Sequence, residues 1–479
     1  MIGQHPTPPG IVQRMLAMAS LPKLAERGAY VLDPGCGEGA FFLPILEEYA
    51  SYAATHGHPL SWVVERVRGV ELDPKPLSVC REQAQHVLAE HGFQPTDADL
   101  ASLVVECDFT RFEEAGFDLV IGNPPYVRLE GLAELDRRRY RRQFQSAVNR
   151  YDLYFLFFEQ GLRLLASEGQ LCFITPQKYA QVWSGSGLRK LLATRELRGV
   201  VILAEDAFPD LVTYPAITHL LNQRPGPKHR VQVHDERKGE SRSVEQASLC
   251  ESPWFCLFGE SDVDEGVLTL ADVCSRIGVG VATGADAVFE LAPDEARMIP
   301  AEYVRPALSG RDLPAVEGEA IEPRSQMVFP YDGAGRLVPE ASLGAAAEYL
   351  AMAHHRERLV KRSCHAKGSR AWYEYHERPR PKEFEGPKIV VQDIQRTPVF
   401  HIDRTGSMPK HSVYYIIPKD MDQLEVLAEY LNSEKARAWL EGHCMSAAGG
   451  HLRLQSKTLA RLPVPAAFSK QRTLVSVPA

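Results

Sequence analysis

The sequence of 479 residues lacks the features of several specialised classes of protein. Its nine cysteines include no C-x-x-C pair, which favours reduced thiols over a disulfide framework or a structural zinc site. No apolar run reaches the length of a membrane span, and the N-terminus MIGQHPTPPG lacks the basic and apolar regions of a secretory signal. We therefore expect a cytoplasmic protein with no membrane partner.

An excess of positive charge is also absent. Lys and Arg number 54 against 62 Asp and Glu, which gives a net charge of −8. This balance argues against indiscriminate binding to nucleic acid, but it leaves a local basic face open because the field at a cleft depends on how charges are arranged. The pair His354-His355 lacks zinc-ligand spacing, and no metal site is expected.

The N-terminal half contains short apolar runs that are rich in β-branched residues and alternate with helical patterns. The runs are AYVLDP, VRGVELD, LVVEC, FDLVIG, QLCFIT and VVILAE, and the clearest helical patterns are PPGIVQRMLAMA and YDLYFLFFEQGLRLLA. This alternation predicts an α/β fold with a doubly wound, mostly parallel sheet and helices on both faces. Ligands of such sheets bind beyond the carboxyl ends of the strands.

The pattern changes at residues 223–242, where proline, glycine and charged residues dominate. Shorter alternating segments follow without a clear βα rhythm. We therefore predict two domains, residues 1–245 and 246–479.

A glycine-rich turn follows the first predicted strand, in the sequence VLDPGCGEGAFF. Glycine lets the backbone turn sharply and approach a ligand closely. The spacing is G-x-G-x-G rather than the G-x-G-x-x-G of dinucleotide sites, and no phosphate-binding lysine follows. Asp33, which precedes the glycines, suits a cationic or hydroxyl-bearing ligand better than a pyrophosphate.

Acidic residues also stand at the ends of the next two predicted strands. Glu71 ends the second strand, where a carboxylate can accept both hydroxyls of a ribose. Asp108 and Phe109 end the third strand, where they can hydrogen-bond an adenine amino group and cover its face. Acidic residues at three successive strand ends favour a binding pocket over ordinary tight turns.

The stretch IGNPPYVR follows the fourth predicted strand. Two consecutive prolines lack N–H donors and fix φ, so the turn Asn123-Pro124-Pro125-Tyr126 can neither continue a strand nor begin an ordinary helix. The turn therefore holds an amide side chain and an aromatic ring rigidly beside a strand end.

In order, DPGCGEG, GVELDP, CDF and NPPY resemble the motifs of S-adenosylmethionine-dependent amino-group DNA methyltransferases. The similarity is greatest to the TaqI-type, gamma-class adenine-N6 enzymes of restriction–modification systems, and it covers nearly the whole chain. It implies a Rossmann-like class I methyltransferase domain over residues 1–245, which binds S-adenosylmethionine and catalyses transfer. It also implies an α+β target-recognition domain over residues 246–479.

The resemblance assigns residues to the cofactor, and it adds HPTPPGIV as the family's N-terminal cofactor motif. The implied cofactor-binding residues are Thr7, Asp33, Pro34, Gly35, Cys36, Gly37, Glu71, Leu72, Asp73, Asp108, Phe109 and Asn123. AEDAFPD resembles a later motif, in which Phe208 packs on a target base opposite Tyr126.

A mechanism for the NPPY turn follows from the chemistry of an exocyclic adenine amine, whose lone pair is delocalised into the ring. Hydrogen bonds from its two N–H groups to the Asn123 side-chain oxygen and the Pro124 carbonyl would free that lone pair. Pro125 stiffens the turn, and Tyr126 stacks on the base. Because a base inside a duplex is unreachable, it must be flipped out.

The resemblance implies double-stranded DNA as the partner, with a separate restriction endonuclease completing such a system, and we expect a monomer. Alternatives remain open. NPPY also occurs in methyltransferases that act on cytosine N4, an RNA base or protein glutamine. A DNA-recognition subunit with a degenerate catalytic fold is a further alternative, against which the intact cofactor motifs argue.

Three segments are candidates for contact with DNA. RRRYRRQFQSAVNR, residues 137–150, holds six arginines and no acidic residue, with Tyr140 and Phe144 interleaved. Residues 354–388 carry ten Lys or Arg against five Asp or Glu, together with Trp372, Tyr373 and Tyr375, and predict a groove-facing surface. Residues 442–455 form a loop with small residues that allow close approach of the backbone.

Overall fold

The computed structural model describes residues 6–204, 207–208, 215–258, 267–366, 368, 370–447 and 450–469. The chain divides into two compact units, Met1–Gly259 and Glu260–Ala479. None of the helices in these ranges is long and apolar enough to cross a membrane.

The N-terminal unit is built on one large sheet covered by helices. Its helices are α1 (Pro9–Met18), α2 (Leu21–Glu26), α3 (Phe42–His56), α4 (Leu60–Arg66), α5 (Pro74–Glu90), α6 (Asp97–Leu103), α7 (Glu134–Gln143), α8 (Leu153–Leu164), α9 (Lys178–Gln181) and α10 (Ser186–Ala193). Its strands are β1 (Val31–Pro34), β2 (Val67–Glu71), β3 (Val104–Glu106), β4 (Phe117–Gly122), β5 (Leu165–Pro176), β6 (Glu196–Ile202), β7 (Pro215–Leu221), β8 (Arg230–Asp235) and β9 (Glu240–Glu245).

The nine strands lie in the order β3-β2-β1-β4-β5-β7-β6-β8-β9. The first five strands are parallel to one another, through the pairs β2–β3, β1–β2, β1–β4 and β4–β5. The pair β6–β8 is also parallel. Strand β7 runs antiparallel between β5 and β6, and β9 runs antiparallel to β8. The predicted mostly parallel α/β sheet is confirmed, with all six predicted strands in it, and the carboxyl ends of β1 to β5 lie at one edge.

Two buried apolar layers explain why these residues form this unit. One cluster contains Val12, Met15 and Leu16, the inward face of α1 that the helical spacing predicted. The other contains much of α8, whose aromatic side chains pack on the sheet. Both layers hold the strand ends rigidly, which is what a site at that edge requires.

Strands β8 and β9 lie in the charged region that the sequence suggested as the start of a boundary. They form an edge hairpin in which β8 alternates buried and exposed residues, so most of its polar residues face outward, as those of a linker would, while Asp235 is buried and pairs with Arg237. The sequence-based boundary at residue 245 falls after β9. Trp254, Leu257 and Phe258 beyond it pack in the N-terminal core, so the two units divide 14 residues later, between 259 and 260.

The C-terminal unit combines small sheets with short helices, as the predicted α+β class requires. Its helices are α11 (Leu270–Val273), α12 (Asp286–Phe289), α13 (Pro293–Met298), α14 (Ala345–Ala351), α15 (Ala353–Val360), α16 (Ser363–Ala366), α17 (Pro381–Glu385), α18 (Leu424–Asn432), α19 (Glu434–His443) and α20 (Ser456–Ala460). Its strands are β10 (Cys274–Val279), β11 (Glu290–Leu291), β12 (Val304–Leu308), β13 (Ser325–Val328), β14 (Lys388–Gln392), β15 (Ile394–Gln395), β16 (His401–Asp403), β17 (Met408–Pro409), β18 (Val413–Pro418), β19 (Met445–Ala447) and β20 (His451–Arg453).

These strands form three sheets, in the orders β10-β18-β14-β16, β11-β13-β12-β17 and β15-β20-β19. Two apolar clusters fill the unit, one around Phe329 and Tyr375 and the other around Ile389 and Leu427. The unit therefore has cores of its own.

Candidate active site

The glycine turn after β1 is held against β2 by its backbone. The N–H groups of Gly35 and Cys36 both donate to the carbonyl of Val70, at 2.7 and 3.0 Å. Gly35 has a φ of +75°, and a Cβ there would lie 3.5 Å from the Phe157 ring and 3.9 Å from Pro125. The turn thus needs glycine for its conformation, whereas a Cβ would make only ordinary contact with α8 and the NPPY turn.

Glu71, at the end of β2, is 3% exposed and anchors two backbone segments. Its Oε2 accepts a hydrogen bond from the Gly37 N–H at 2.9 Å. Its Oε1 accepts from the Leu72 and Asp73 N–H groups, both at 2.8 Å. Asp73 in turn caps α5 by accepting from the Lys75 N–H at 3.0 Å. The carboxylate of Glu71 therefore fixes the glycine turn relative to the second strand end.

Asp108 lies beyond β3 and has both carboxylate oxygens engaged. Its Oδ1 accepts from the backbone N–H of Thr110 at 2.9 Å and from the Thr110 hydroxyl at 2.6 Å. Its Oδ2 accepts from Nη2 of Arg139 at 2.8 Å. Phe109 follows, 3% exposed, with its ring 4.8 Å from that of Phe157.

The NPPY turn contacts the segment that precedes α1. Nδ2 of Asn123 donates to Oγ1 of Thr7 at 3.0 Å, although the two residues are 116 positions apart. Thr7 itself is 7% exposed. This bond brings the N-terminal motif and the NPPY turn together through the nitrogen end of the amide.

Two cavities meet around these groups, and Gly35 and Asn123 line both of them. A cavity of about 500 Å³ is lined by residues from four strand ends, α7 and α8, namely Gly35, Val70, Glu71, Leu72, Asp73, Pro74, Cys107, Asp108, Phe109, Thr110, Asn123, Pro125, Val127, Leu132, Asp136, Tyr140, Leu153 and Phe157. A cavity of about 820 Å³ is lined by Pro6, Thr7, Pro9, Val12, Gln13, Asp33, Gly35, Cys36, Gly37, Glu38, Gly39, Ala40, Phe41, Leu43, Pro44, Pro76, Gln83 and Asn123. Of the residues assigned to the cofactor from the sequence, only Pro34 lines neither cavity.

Asp33 is the most buried acid of the site, at 2% exposure. Burial, followed by the nearby charge of Glu71, raises the pKa of Asp33 well above its ordinary value, while a hydrogen bond from the Phe42 backbone lowers it. Its Oδ2 has no hydrogen-bond partner among the described residues. An acceptor left buried in this way is costly unless a ligand supplies a donor.

The Asp33 carboxylate fits against Gly122 because that residue has no side chain. A Cβ at Gly122 would lie 2.6 Å from Oδ1 of Asp33. We expect Gly122→Ala to push the carboxylate out of place and to weaken binding of a ligand in the larger cavity by at least about tenfold, as loss of a charged hydrogen bond does. Isothermal titration calorimetry with S-adenosylhomocysteine measures this. Gly226→Ala, where a Cβ meets nothing within 4 Å, is the control. Equal affinity in both variants would contradict the role given to this space.

The two aromatic residues assigned to a target base do not line these cavities. Tyr126 is half-buried, its hydroxyl donates to the carbonyl of Ile174 at 3.3 Å, and its ring meets that of Tyr154 edge-on. Phe208 is 5% exposed and packs in the apolar cluster that includes α1. Neither lines a cavity described here, so their contact with a base stays a prediction.

Sequence reasoning missed several residues that line the smaller cavity. Phe157 lies on α8 and is not one of the apolar residues at helical spacing in this segment, which are Tyr151, Tyr154, Phe155, Phe158, Leu162 and Leu165. A large aromatic residue outside that set was the available signal. Asp136 and Tyr140 come from α7, within or beside the arginine run that sequence reasoning assigned to DNA.

The arginine run is divided between two environments. Tyr140 and Phe144 are 5% and 4% exposed and belong to the core, so the expectation that they form part of a DNA-facing surface is wrong. Arg139 turns inward to Asp108. The exposed arginines are Arg138, Arg141, Arg142 and Arg150. Arg138 pairs with Glu134 at 3.1 Å, so Arg141 and Arg142 are the arginines of this run that stay candidates for contact with phosphates.

The basic segment 354–388 also needs correction. Trp372, Tyr373 and Tyr375 lie in the core at 8%, 7% and 0% exposure, so they cannot line a groove. Their buried neighbour Arg362 donates to the carbonyls of Thr283 and Trp372, both at 2.6 Å. Exposed basic residues of the segment are Arg356, Arg358, Lys361, Arg378, Arg380 and Lys382.

The third DNA-contact candidate, residues 442–455, contains the hairpin β19–β20, which pairs with β15. Residues 448 and 449 lie outside the described ranges. Over the part of the chain that is described, no cluster of three His, Cys, Asp or Glu side chains could hold a metal ion.

Comparison with known proteins gives a family match in each unit. Residues 79–208 match the Eco57I restriction-modification methylase family, and residues 334–464 match the TaqI-like C-terminal specificity domain. The first match includes the NPPY turn, and the second includes β14 to β20.

Similar proteins extend over most of the chain. The type II methyltransferase M.XhoI of Xanthomonas vasicola is 27% identical over 91% of this chain and 85% of its own length. M.BstVI of Geobacillus stearothermophilus is 24% identical over 91% of this chain and 84% of its own length. The restriction–modification enzyme MmeI, solved in complex with DNA, has the same fold over 94% of this chain (TM-score 0.60, 14% identity), and this chain covers 63% of it.

The order of the sheet, the acidic strand ends around two cavities and the matched regions in both units lead to one assignment. The N-terminal unit contains an Eco57I-type methylase region, the C-terminal unit contains a TaqI-like specificity domain, and the chain is similar to type II methyltransferases over most of its length, which indicates a DNA methyltransferase of restriction–modification type.

Proposed function

We propose that this methyltransferase transfers a methyl group from S-adenosylmethionine to the exocyclic N6 of an adenine flipped out of duplex DNA. The observation that carries the proposal is the position of Asn123, which lines both cavities at the end of β4. A residue there can face a cofactor and a target amine at the same time.

The smaller cavity suits a nucleoside. Glu71 and Asp108 supply acceptors for ribose hydroxyls and for an adenine amine, and the exposed side chain of Leu72 offers an apolar face beside them. Phe109 and Phe157 form an aromatic wall on which a purine can pack.

The larger cavity suits the amino-acid end of the same cofactor. Asp33 presents a buried oxygen without a partner among the described residues, which can accept from an α-ammonium group. Such a cation beside Asp33 would stabilise the charged carboxylate that burial otherwise disfavours. When bound, S-adenosylmethionine supplies an electrophilic methyl group.

The catalytic turn prepares the target amine. The side-chain oxygen of Asn123 and the carbonyl of Pro124 accept hydrogen bonds from the two N–H groups of the amine. The lone pair of the amine nitrogen then becomes available for attack on the methyl group. The bond from Nδ2 to Thr7 fixes the amide so that its oxygen end serves as the acceptor. We propose that Tyr126 and Phe208 stack on the flipped base, which adds about 1–3 kcal/mol per stacked contact.

The similarity to restriction–modification methyltransferases argues against RNA and protein glutamine as substrates, so cytosine N4 is the competing amine. Asn123 favours adenine, because cytosine-N4 members of this group more often carry serine at that position. Tritium transfer from labelled S-adenosylmethionine to duplex DNA, followed by nucleoside mass spectrometry, tests the proposal. We expect N6-methyladenine, and N4-methylcytosine as the product would overturn it.

We further propose that the enzyme acts in the cytoplasm as a monomer, and that a separate restriction endonuclease cleaves the unmodified site. Light scattering of the enzyme on a duplex that carries its site measures the first point. An obligate dimer with one active site inaccessible would contradict it.

We expect Glu71→Ala to weaken cofactor affinity by at least about tenfold, because the ribose loses its acceptor and three backbone donors lose theirs. The fold should remain, since the sheet and its two apolar layers do not depend on this carboxylate. Calorimetric titration with S-adenosylhomocysteine measures the affinity. Glu106, which is exposed and directly opposite Glu71 on β3, provides the control Glu106→Ala. Unchanged affinity in Glu71→Ala would remove Glu71 from the site.

A further inference from the structure

Arg139 differs from the other arginines of its run. Arg138 has 69% of its side chain exposed and pairs with Glu134 on the same helix at 3.1 Å. Arg139 has only 18% of its side chain exposed and points into the unit. Helix α7 therefore carries one arginine with a role that contact with phosphates does not explain.

The guanidinium of Arg139 joins the third strand end to α7. Its Nη2 lies 2.8 Å from Oδ2 of Asp108, 3.3 Å from the Thr110 hydroxyl and 3.4 Å from Oδ1 of Asp136. Its planar group also lies over the Tyr140 ring at 4.7 Å. Asp108, Thr110, Asp136 and Tyr140 all line the smaller cavity, whereas Arg139 does not. The arginine thus supports the cavity wall from behind.

These contacts fix the orientation of the Asp108 carboxylate. A carboxylate has about four lone-pair sites. Thr110 uses both sites of Oδ1, through its N–H and its hydroxyl, and Arg139 uses one of Oδ2. The remaining site on Oδ2 is the acceptor that Asp108 can offer to a ligand in the cavity. Without Arg139, the carboxylate would be restrained by Thr110 and by the exposed Arg111, whose Nε lies 3.7 Å from Oδ2.

We propose that Arg139 is a positioning residue that makes the cofactor pocket selective for an adenine amine. This inference rests on the proposed function, because it assumes that the smaller cavity receives the adenosine of S-adenosylmethionine. Arg139 acts through Asp108, whose oriented Oδ2 accepts the amine and disfavours a carbonyl oxygen at the same place. Arg139 therefore determines how strongly the pocket prefers a ligand with an amine over a ligand with a carbonyl at this position of the purine.

The test compares two ligands that differ at one group, S-adenosylhomocysteine and its inosine analogue, in which a carbonyl replaces the amine. Calorimetry gives the ratio of the two affinities in the full-length enzyme. We expect wild type to prefer the amine, and Arg139→Ala to reduce that preference by about tenfold, the scale of one hydrogen bond to a charged group. Arg139→Lys should restore part of the preference, because it keeps the charge without the planar fork. Arg138→Ala is the matched control and should keep the wild-type ratio.

The pattern of affinities separates this role from a structural one. If Arg139→Ala weakened both ligands equally, Arg139 would only support the wall, and the inference would be wrong. An unchanged ratio with unchanged affinities would overturn it too. If Arg139→Ala did not fold, the test would use Arg139→Gln, which keeps a donor toward Asp108. The inference then requires that Arg139→Gln have a smaller preference for S-adenosylhomocysteine over the inosine analogue than wild type has. Failure of wild type to bind S-adenosylhomocysteine would instead refute the proposed cofactor, and with it this inference.

Discussion

The Asn123→Ala variant is expected to transfer methyl groups about 10²–10³-fold more slowly than wild type, which is the usual cost of one preorganised hydrogen bond in a transition state. The change removes one of the two acceptors that prepare the target amine. Affinities for DNA and for the cofactor should change little, because the phosphate contacts and the other residues that line the two cavities remain.

Three measurements separate transfer from binding in this variant. Tritium incorporation follows transfer, calorimetry follows cofactor binding, and 2-aminopurine fluorescence at the target position follows base flipping. Thr7→Val is the companion variant, because it removes the partner of Nδ2 and leaves the side-chain oxygen of Asn123 in place. It should lose less activity than Asn123→Ala. Near-normal transfer by Asn123→Ala would refute the mechanism, and loss of binding together with transfer would indicate a structural role.

Asp403→Asn is expected to destabilise the C-terminal unit by about 3–5 kcal/mol, since it leaves a buried lysine charge without its partner. Lys388 of β14 and Asp403 of β16 pair across the sheet with Nζ and Oδ2 2.6 Å apart, and neither side chain is exposed. Asparagine keeps an oxygen for the hydrogen bonds from Thr405, so the lost charge is the main change.

Hydrogen–deuterium exchange of β14 in increasing denaturant measures this loss within the C-terminal unit. Adding Lys388→Met should recover part of the stability, because it removes the buried charge that Asp403→Asn leaves without a partner. We expect Asp403→Asn to impair site-specific DNA binding more than cofactor binding. Protection of β14 equal to wild type would show that the buried pair contributes little.

The strand ends of the N-terminal unit were predictable because each carries its chemistry in a short local pattern. Asp33, Glu71 and Asp108 follow apolar runs whose length and composition predict strands, and parallel strands bring their carboxyl ends to one edge. The resemblance to a known family then ordered these residues around one cofactor. Thr7 needed that resemblance, since nothing local relates it to Asn123.

The side-chain directions in charged segments were not predictable from composition. Arg139 and Lys388 lie in basic runs that suggest a solvated surface, yet each turns inward toward an acid far away in the sequence, Asp108 or Asp403. The aromatic residues in the same runs complete cores that form only after folding. A run of charged residues predicts that most of its side chains are exposed to solvent. The few that are buried depend on pairing with residues elsewhere in the chain, which the run itself does not reveal.

The base and position of methylation can be read directly from DNA. Single-molecule sequencing of plasmid from a strain that expresses the enzyme, with a strain that expresses Asn123→Ala as the control, reports both together. We expect N6-methyladenine at one recurrent sequence motif in the wild-type strain and a near absence of it in the control. N4-methylcytosine at the motif, or equal adenine methylation in both strains, would contradict the proposed reaction.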